Sequence, residues 1–343
     1  MFRFGRIATL CRQEPVGPGE RRVVVLTAVG FAGLALLPML LSEYGLSALR
    51  DAVIMAILAL SLDFLWGRAH ILSLGHAVFF GLGAYGMAIG TTKFMLGSAA
   101  GMMAGIGIAI LLAAAIGYFL IYAGVRLHFF AIVTMALTMI VAQLVISWSS
   151  LTGGDVGILG VPGLAFFNGA LDLSGSYGSY YLVLAVLVVA LTGLWLASRS
   201  NYGKVLAALG MNEFRAHALG HDTSLYLLGV FVFSAGLAAL AGSLFAATNQ
   251  VVAPDLFLPL MSTEIIVWVA VGGRGTLIGP VVAALLVSRL QFELSSYNAT
   301  LWPILLGGLF VLQVLFLPEG LATLRRIRWP SGDRAAVSAE VNR

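Results

Sequence analysis

Apolar segments close to the thickness of a bilayer recur along almost the whole chain, separated by short polar breaks. A hydrocarbon core of about 30 Å takes roughly 20 apolar residues in helical form to cross. Backbone in lipid must satisfy its own hydrogen bonds, and a helix does this within each segment. The segments are 23–41, 46–66, 71–90, 98–124, 126–148, 180–197, 225–248, 260–272, 276–290 and 301–317. The expected fold class is therefore all-α, a polytopic transmembrane bundle of about 10 spans (8–10). Two segments read as broken or re-entrant: 260–272 is short, and 71–90 is rich in glycine.

Composition agrees with this class. Only 10% of the 343 residues are charged, against about 25% in a soluble domain. The net charge of +4 does not point to nucleic acid, because the basic residues sit where membrane topology uses them. Arg3, Arg6, Arg12, Arg21 and Arg22 mark a tail of residues 1–22, and Arg325, Arg326, Arg328 and Arg334 mark a tail of residues 322–343. Both ends are expected in the cytoplasm, flanking a transmembrane domain of residues 23–321 embedded in membrane lipid. Alternation then puts Arg68, Arg126, Arg274 and the polar island 198–224 inside. It puts Glu43, Lys93, the loop 155–172 and Asp255 outside. Residues 1–22 are too polar, and 23–41 too long, for a cleavable signal peptide.

Several chemistries lack their residues. The chain has two lysines, and Gly203-Lys204-Val205 does not continue into a phosphate-binding loop. No Gly-x-Ser-x-Gly elbow and no His-Glu-x-x-His helix is present. Cys11 is the single cysteine, so no internal disulfide can form. His217 and His221 stand four apart but lack the further ligands of a zinc site. No catalytic residue, metal or cofactor is expected in this chain.

Three stretches carry polar groups where apolar ones would be cheaper. Residues 72–85 place Ser73, Gly75, His76 and Tyr85 inside a hydrophobic run. Polar groups at membrane depth face a cavity or a partner, so these four are candidates for a translocation path, against the plainer reading of packing. Residues 264–280 open on Glu264 and close on Gly272-Gly273-Arg274-Gly275, a structural turn whose glycines supply positive φ. Glu264 is expected to line a path or to pair with a helix N-terminus or an arginine such as Arg289. Residues 212–220, Asn-Glu-Phe-Arg-Ala-His-Ala-Leu-Gly, read as a short amphipathic helix ended by Gly220. Such a helix between two spans suits docking into a groove on a soluble partner; the alternative is a solvated or interfacial segment. Small residues four apart (Gly86 and Gly90, Gly101 and Gly105, Ala238 and Gly242) predict close helix packing.

Together these stretches resemble the membrane permease subunits of high-affinity branched-chain amino acid ABC transporters. The resemblance runs from about residue 51 to 321. It is carried by Leu72-Ser73-Leu74-Gly75-His76-Ala77, Leu151-Thr152-Gly153-Gly154, the 212–220 motif and Phe316-Leu317-Pro318-Glu319-Gly320-Leu321. It implies a subunit without its own ATPase site in the cytoplasmic (inner) membrane of a prokaryote. The implied partners are a homologous permease subunit, two cytoplasmic ATPases that bind ATP, and an external or periplasmic solute-binding protein. Asn212, Glu213, Ala216, Ala218, Leu219 and Gly220 would couple the ATPases to the path. Residues 62–67, with Asp63 where amino acid permeases would carry asparagine, and residues 266–276 look closer to related urea permease subunits. A urea or short-amide cargo is thus the alternative. A stand-alone secondary transporter or channel would need more embedded acids than Asp51, Asp63 and Glu264, and an intramembrane enzyme would need a reactive constellation.

Overall fold

The computed structural model describes residues 18–125, 127–166, 171–211, 213–220, 222–297, 301–316 and 320. The expected terminal tails lie mostly outside these residues, as do Arg126, Asn212, His221 and most of the 316–321 motif. The chain divides into two units, Met1–Ser42 and Glu43–Arg343. The first holds helix α1 (Pro18–Leu36), followed by a 3-10 turn at Leu37–Met39. Pro38 lies in that turn; the residue before a proline is biased away from helical backbone, which fits the end of α1 there.

The second unit holds α2 (Glu43–Ala69), α3 (His76–Thr92), α4 (Ser98–Tyr122), α5 (Leu127–Ser147), the single turn α6 (Ser149–Thr152), α7 (Ser176–Arg199), α8 (Asn201–Met211), α9 (Glu213–Ala218), α10 (Thr223–Asn249), α11 (Pro259–Gly272), α12 (Ile278–Tyr297) and α13 (Leu301–Phe316). Each apolar segment of the sequence overlaps one of these helices or α1. Among the described residues, five helices are long and apolar enough to cross a membrane: Ser98–Tyr122, Phe129–Ser147, Ser176–Arg199, Thr223–Asn249 and Ile278–Ser295. The fold is all-α and polytopic.

Helix α2 is the axis of this unit. Its residues from Ala52 to Leu65 are buried except Met55, and α7, α10, α11 and α12 pack around it. A helix that is apolar on every side belongs in such a position. By contrast, α4 exposes Leu111 and Phe119, and α5 exposes Ile132 and Leu144, as helices facing lipid do. Backbones approach most closely at small residues. A Cβ on Gly242 of α10 would collide with the Phe80 carbonyl of α3, and one on Gly86 of α3 would collide with Gly105 of α4.

Both segments expected to be irregular are short helices entered through non-helical chain. Helix α3 begins only at His76, after a link in which His70 has φ +58. Helix α11 has 14 residues and follows a 3-10 turn at Pro254–Phe257. Phe257 of that turn is fully buried. Its ring centroid lies 5.5 Å from that of Tyr85, and a side chain on Gly81 would strike it. Two short antiparallel pairings order the long connection after α6. Strand β1 (Ile158–Leu159) joins β4 (Val251–Val252), and β2 (Ala165–Phe166) joins β3 (Leu171–Asp172).

Candidate functional site

Within the polar island the structure describes helix at Asn201–Met211 (α8) and at Glu213–Ala218 (α9), the latter inside the 212–220 helix expected from the sequence; Asn212 lies outside the described residues. Helix α8 has a buried face of Gly203, Leu206 and Leu209 and packs on α2, α7 and α10. Tyr202 stacks on Tyr226 of α10 at 5.3 Å and donates its hydroxyl to the Tyr226 carbonyl at 3.0 Å. Burial, with the neighbouring Tyr226 adding to it, pushes the Tyr202 phenol up to about 12. It therefore stays a donor at physiological pH. At the far end, a Cβ on Gly210 would collide with the His70 ring in the α2–α3 link. Helix α8 is thus braced against both a long helix and the entry to α3.

Helix α9 carries the remaining coupling candidates. Ala216 is buried, while Glu213, His217, Ala218, Leu219 and Gly220 are exposed. Gly220 has φ +86, and its amide donates to the His217 carbonyl at 2.9 Å, so this turn closes in the left-handed region that glycine tolerates. Asp222 then caps α10, its carboxylate accepting from the Leu225 amide at 3.2 Å. Met211 and Leu219 are exposed at 87% and 79%, which leaves two large apolar side chains uncovered.

The path candidates are all deeply buried. Ser73, His76, Tyr85 and Glu264 are between 0% and 6% exposed. His76 Nε2 lies 2.9 Å from Ser61 Oγ of α2 and 3.3 Å from Ser234 Oγ of α10. The histidine thus bridges three helices. A Cβ on Gly75 would meet the Thr134 carbonyl of α5 at 2.7 Å, and the Leu74 amide donates to Thr134 Oγ1 at 3.1 Å. Glu264 does not pair with Arg289 or with a helix N-terminus. Its Oε1 accepts from Trp302 Nε1 at 2.7 Å and from Gln291 Nε2 at 3.1 Å. Arg289 instead pairs with Glu293, one turn along its own helix, at 2.7 Å. Four-residue spacing made the nearer partner available.

The turn Gly272-Gly273-Arg274-Gly275 is held from 200 residues away in a manner the sequence did not disclose. Gly273 and Gly275 have φ +93 and +78. Asp63, fully buried in α2, accepts from the Gly275 amide through Oδ1 and from the Leu277 amide through Oδ2, the latter at 2.9 Å. Gly67, one turn further along α2, packs directly on Gly275, and the Arg274 guanidinium lies 5.6 Å from the Trp66 ring. The two stretches that look closer to urea permeases, 62–67 and 266–276, are therefore halves of one contact.

A second polar cluster was also missed. Arg50 Nη2 donates to Asn249 Oδ1 at 3.3 Å, Asn249 Nδ2 donates to Asp51 Oδ1 at 3.2 Å, and Arg50 Nη1 donates to Ser179 Oγ at 3.5 Å. Adjacent opposite charges at the start of a span were a usable signal. Their partners on α7 and α10 were not.

Comparison with known proteins places this architecture. The family described as branched-chain amino acid transport system / permease component matches residues 45–314. The high-affinity branched-chain amino acid transport system permease protein LivM of Escherichia coli (strain K12) is 30% identical over 315 residues, covering 84% of this chain and 72% of that protein. The LivM protein of Salmonella typhimurium gives the same identity and coverage. The xylose transport system permease protein XylH of Haemophilus influenzae is 29% identical over a shorter region, 43% of this chain and 41% of that protein. No solved structure matches the chain.

Proposed function

The chain belongs to the branched-chain amino acid transport system permease family, and from that premise we propose that it is a membrane subunit of an ATP-driven importer of branched-chain amino acids. The observation that carries this reading is the family match across residues 45–314, nearly the whole of the helical unit that begins at Glu43. Similarity at this level over the two LivM proteins supports the same class of cargo.

In this reading the path forms with a homologous permease subunit in the cytoplasmic membrane. An external solute-binding protein supplies affinity, and two cytoplasmic ATPases supply the driving force. Residues 212–220 dock on an ATPase, with Glu213, Leu219 and Gly220 at the contact. The bracing of α8 against α2, α7 and α10 supports a mechanical role for this segment. A push on α9 passes through α8 into the axial helix and into the link that opens α3. Binding energy differences between the ATP-bound and ATP-free partners would then bias two states of the bundle.

The test is uptake in a strain lacking this gene, complemented by wild type or by a Glu213→Lys, Gly220→Pro variant. Labelled leucine uptake is expected to return with wild type and to stay absent with the variant, whose ATPase should also fail to co-purify. Full uptake and co-purification by the variant would overturn the coupling assignment. Restored urea uptake without leucine uptake would establish the short-amide cargo instead.

A further inference from the structure

Four of the six boundaries of helices α2 to α4 recur in α10 to α12 at an offset of 180 residues, 43 to 223, 69 to 249, 92 to 272 and 98 to 278; the start of α3 and the end of α4 are offset by 183 and 175. Each triplet is a 27-residue helix, then a short helix of 17 or 14 residues, then a long one of 25 or 20. The packing repeats as well. Helix α10 lies antiparallel on α4, with Gly117 near Leu228 and Phe231 and Gly236 near Ile110. Helix α12 lies antiparallel on α2, with Gly67 at Gly275 beside one end and Tyr44 at Phe292 near the other. The hairpin α3–α4 crosses at Gly86 with Gly105 and at Gly90 with Gly101; the hairpin α11–α12 crosses at Gly272 with Gly279. Between the triplets, α2 and α10 are themselves antiparallel, since Asp51 meets Asn249 while Ser61 meets Ser234. These are the relations of an inverted repeat about an axis between α2 and α10.

In folds of this kind, short or interrupted segments at matching positions of the two halves mark the place where solute is handled. The short helices here are α3 and α11, and both bury polar atoms without a hydrogen-bond partner. On or just before α3 these are Ser73 Oγ, His76 Nδ1 and Tyr85 Oη; on α11 they are Ser262 Oγ and Trp268 Nε1. All five side chains are 3% exposed or less. Buried polar groups left unpaired in a native protein call for an explanation, and of the nine such side-chain atoms found among the described residues, five lie on or just before the two matched elements. We propose that α3 and α11 are the paired half-spans of an inverted repeat, and that these five groups are what a small solute bearing oxygen acceptors meets when the two hairpins part. The five groups include neutral donors suited to a carboxylate or an amide carbonyl. This inference rests on the permease reading and adds the residues and the symmetry of the path.

Inversion makes a prediction that simple burial does not. Ser73 precedes the start of α3, and Ser262 lies in the first turn of α11. The two positions should therefore open toward opposite sides of the membrane. In a Cys11→Ser background, S73C and S262C in the assembled importer would be probed with an impermeant thiol reagent on inside-out and right-side-out vesicles. S73C should label from the cytoplasmic side and S262C from the external side. Trapping the ATPases with ATP and vanadate should change the two rates at least threefold in opposite directions. Excess leucine should slow both at least twofold. Labelling of neither site in any state, or changes in the same direction, with uptake intact, would overturn the inverted path alone. A Cys11→Ser parent with no leucine uptake despite normal chain levels, alongside an equally inactive wild type, would overturn the permease reading. Where a cysteine variant fails to accumulate, S73A and S262A carry the test. A KM for uptake raised three- to tenfold at unchanged chain level is expected from each, and unchanged KM from both would overturn the proposal.

Discussion

Replacing Asp63 should destabilise the bundle by far more than its single carboxylate suggests, because that group holds a turn more than 200 residues away. Its two oxygens take two separate amides, those of Gly275 and Leu277. Leu277 is a leucine at φ +61 and only 3% exposed. A non-glycine residue in that region costs about 1 kcal/mol or more and persists only where its surroundings enforce it. In Asp63→Ala the Leu277 amide is left buried and unpaired, at a cost of about 2 kcal/mol within the usual range of 1–3. The Gly275 amide is partly buried, so water recovers some of its bond and about 1 kcal/mol remains. The sum is about 3 kcal/mol, roughly a hundredfold in the folded-to-unfolded ratio. Asp63→Asn is nearly isosteric, yet it offers one acceptor oxygen and one NH2. That NH2 would face an amide N–H, so about 2 kcal/mol should be lost here too. The assay is an SDS titration in mixed micelles followed by tryptophan fluorescence. Amide exchange across residues 270–280 should also quicken in both variants. If Asp63→Asn and Asp63→Ala both lie within about 0.5 kcal/mol of wild type, the ordinary range for inert sites, the clamp described here does not hold the turn.

Two further substitutions probe packing in the same titration. Gly242→Ala places a methyl against the Phe80 carbonyl and should cost about 1–3 kcal/mol by overpacking, whereas Gly193→Ala on α7, with open space around it, should be neutral or slightly stabilising. Equal midpoints for the two would refute the close approach of α3 and α10. Trp302→Phe removes the 2.7 Å bond to Glu264 and should cost about 0.5–1.5 kcal/mol, the usual net value of one hydrogen bond. A silent Trp302→Phe would show that Glu264 is held by Gln291 alone.

The motifs differed in how far they could be read from the sequence. Gly220 and the turn at 272–275 were legible because positive φ is a local property that glycine announces. The packing of α8 on α2, α7 and α10 was not, since nothing within residues 201–211 names the helices its buried face meets. The partner of Glu264 was misjudged for a similar reason. Arg289 looked available by charge, but its own helix supplied Glu293 one turn away.

What the sequence determined by itself was everything set by short-range rules. Lipid leaves a backbone segment no outside hydrogen-bond partner, so the apolar segments had to become helices wherever they lay. Charge spacing, helix stops and the missing phosphate loop follow from neighbours a few residues apart. It took the packing of the helices to make α2 the axis, to bring Asp63 onto the turn at 273–277, and to set the hairpins α3–α4 and α11–α12 as inverted counterparts. Each of these joins residues more than 100 positions apart. Such a contact leaves no periodicity in the chain, because it depends on which faces meet after the helices have formed.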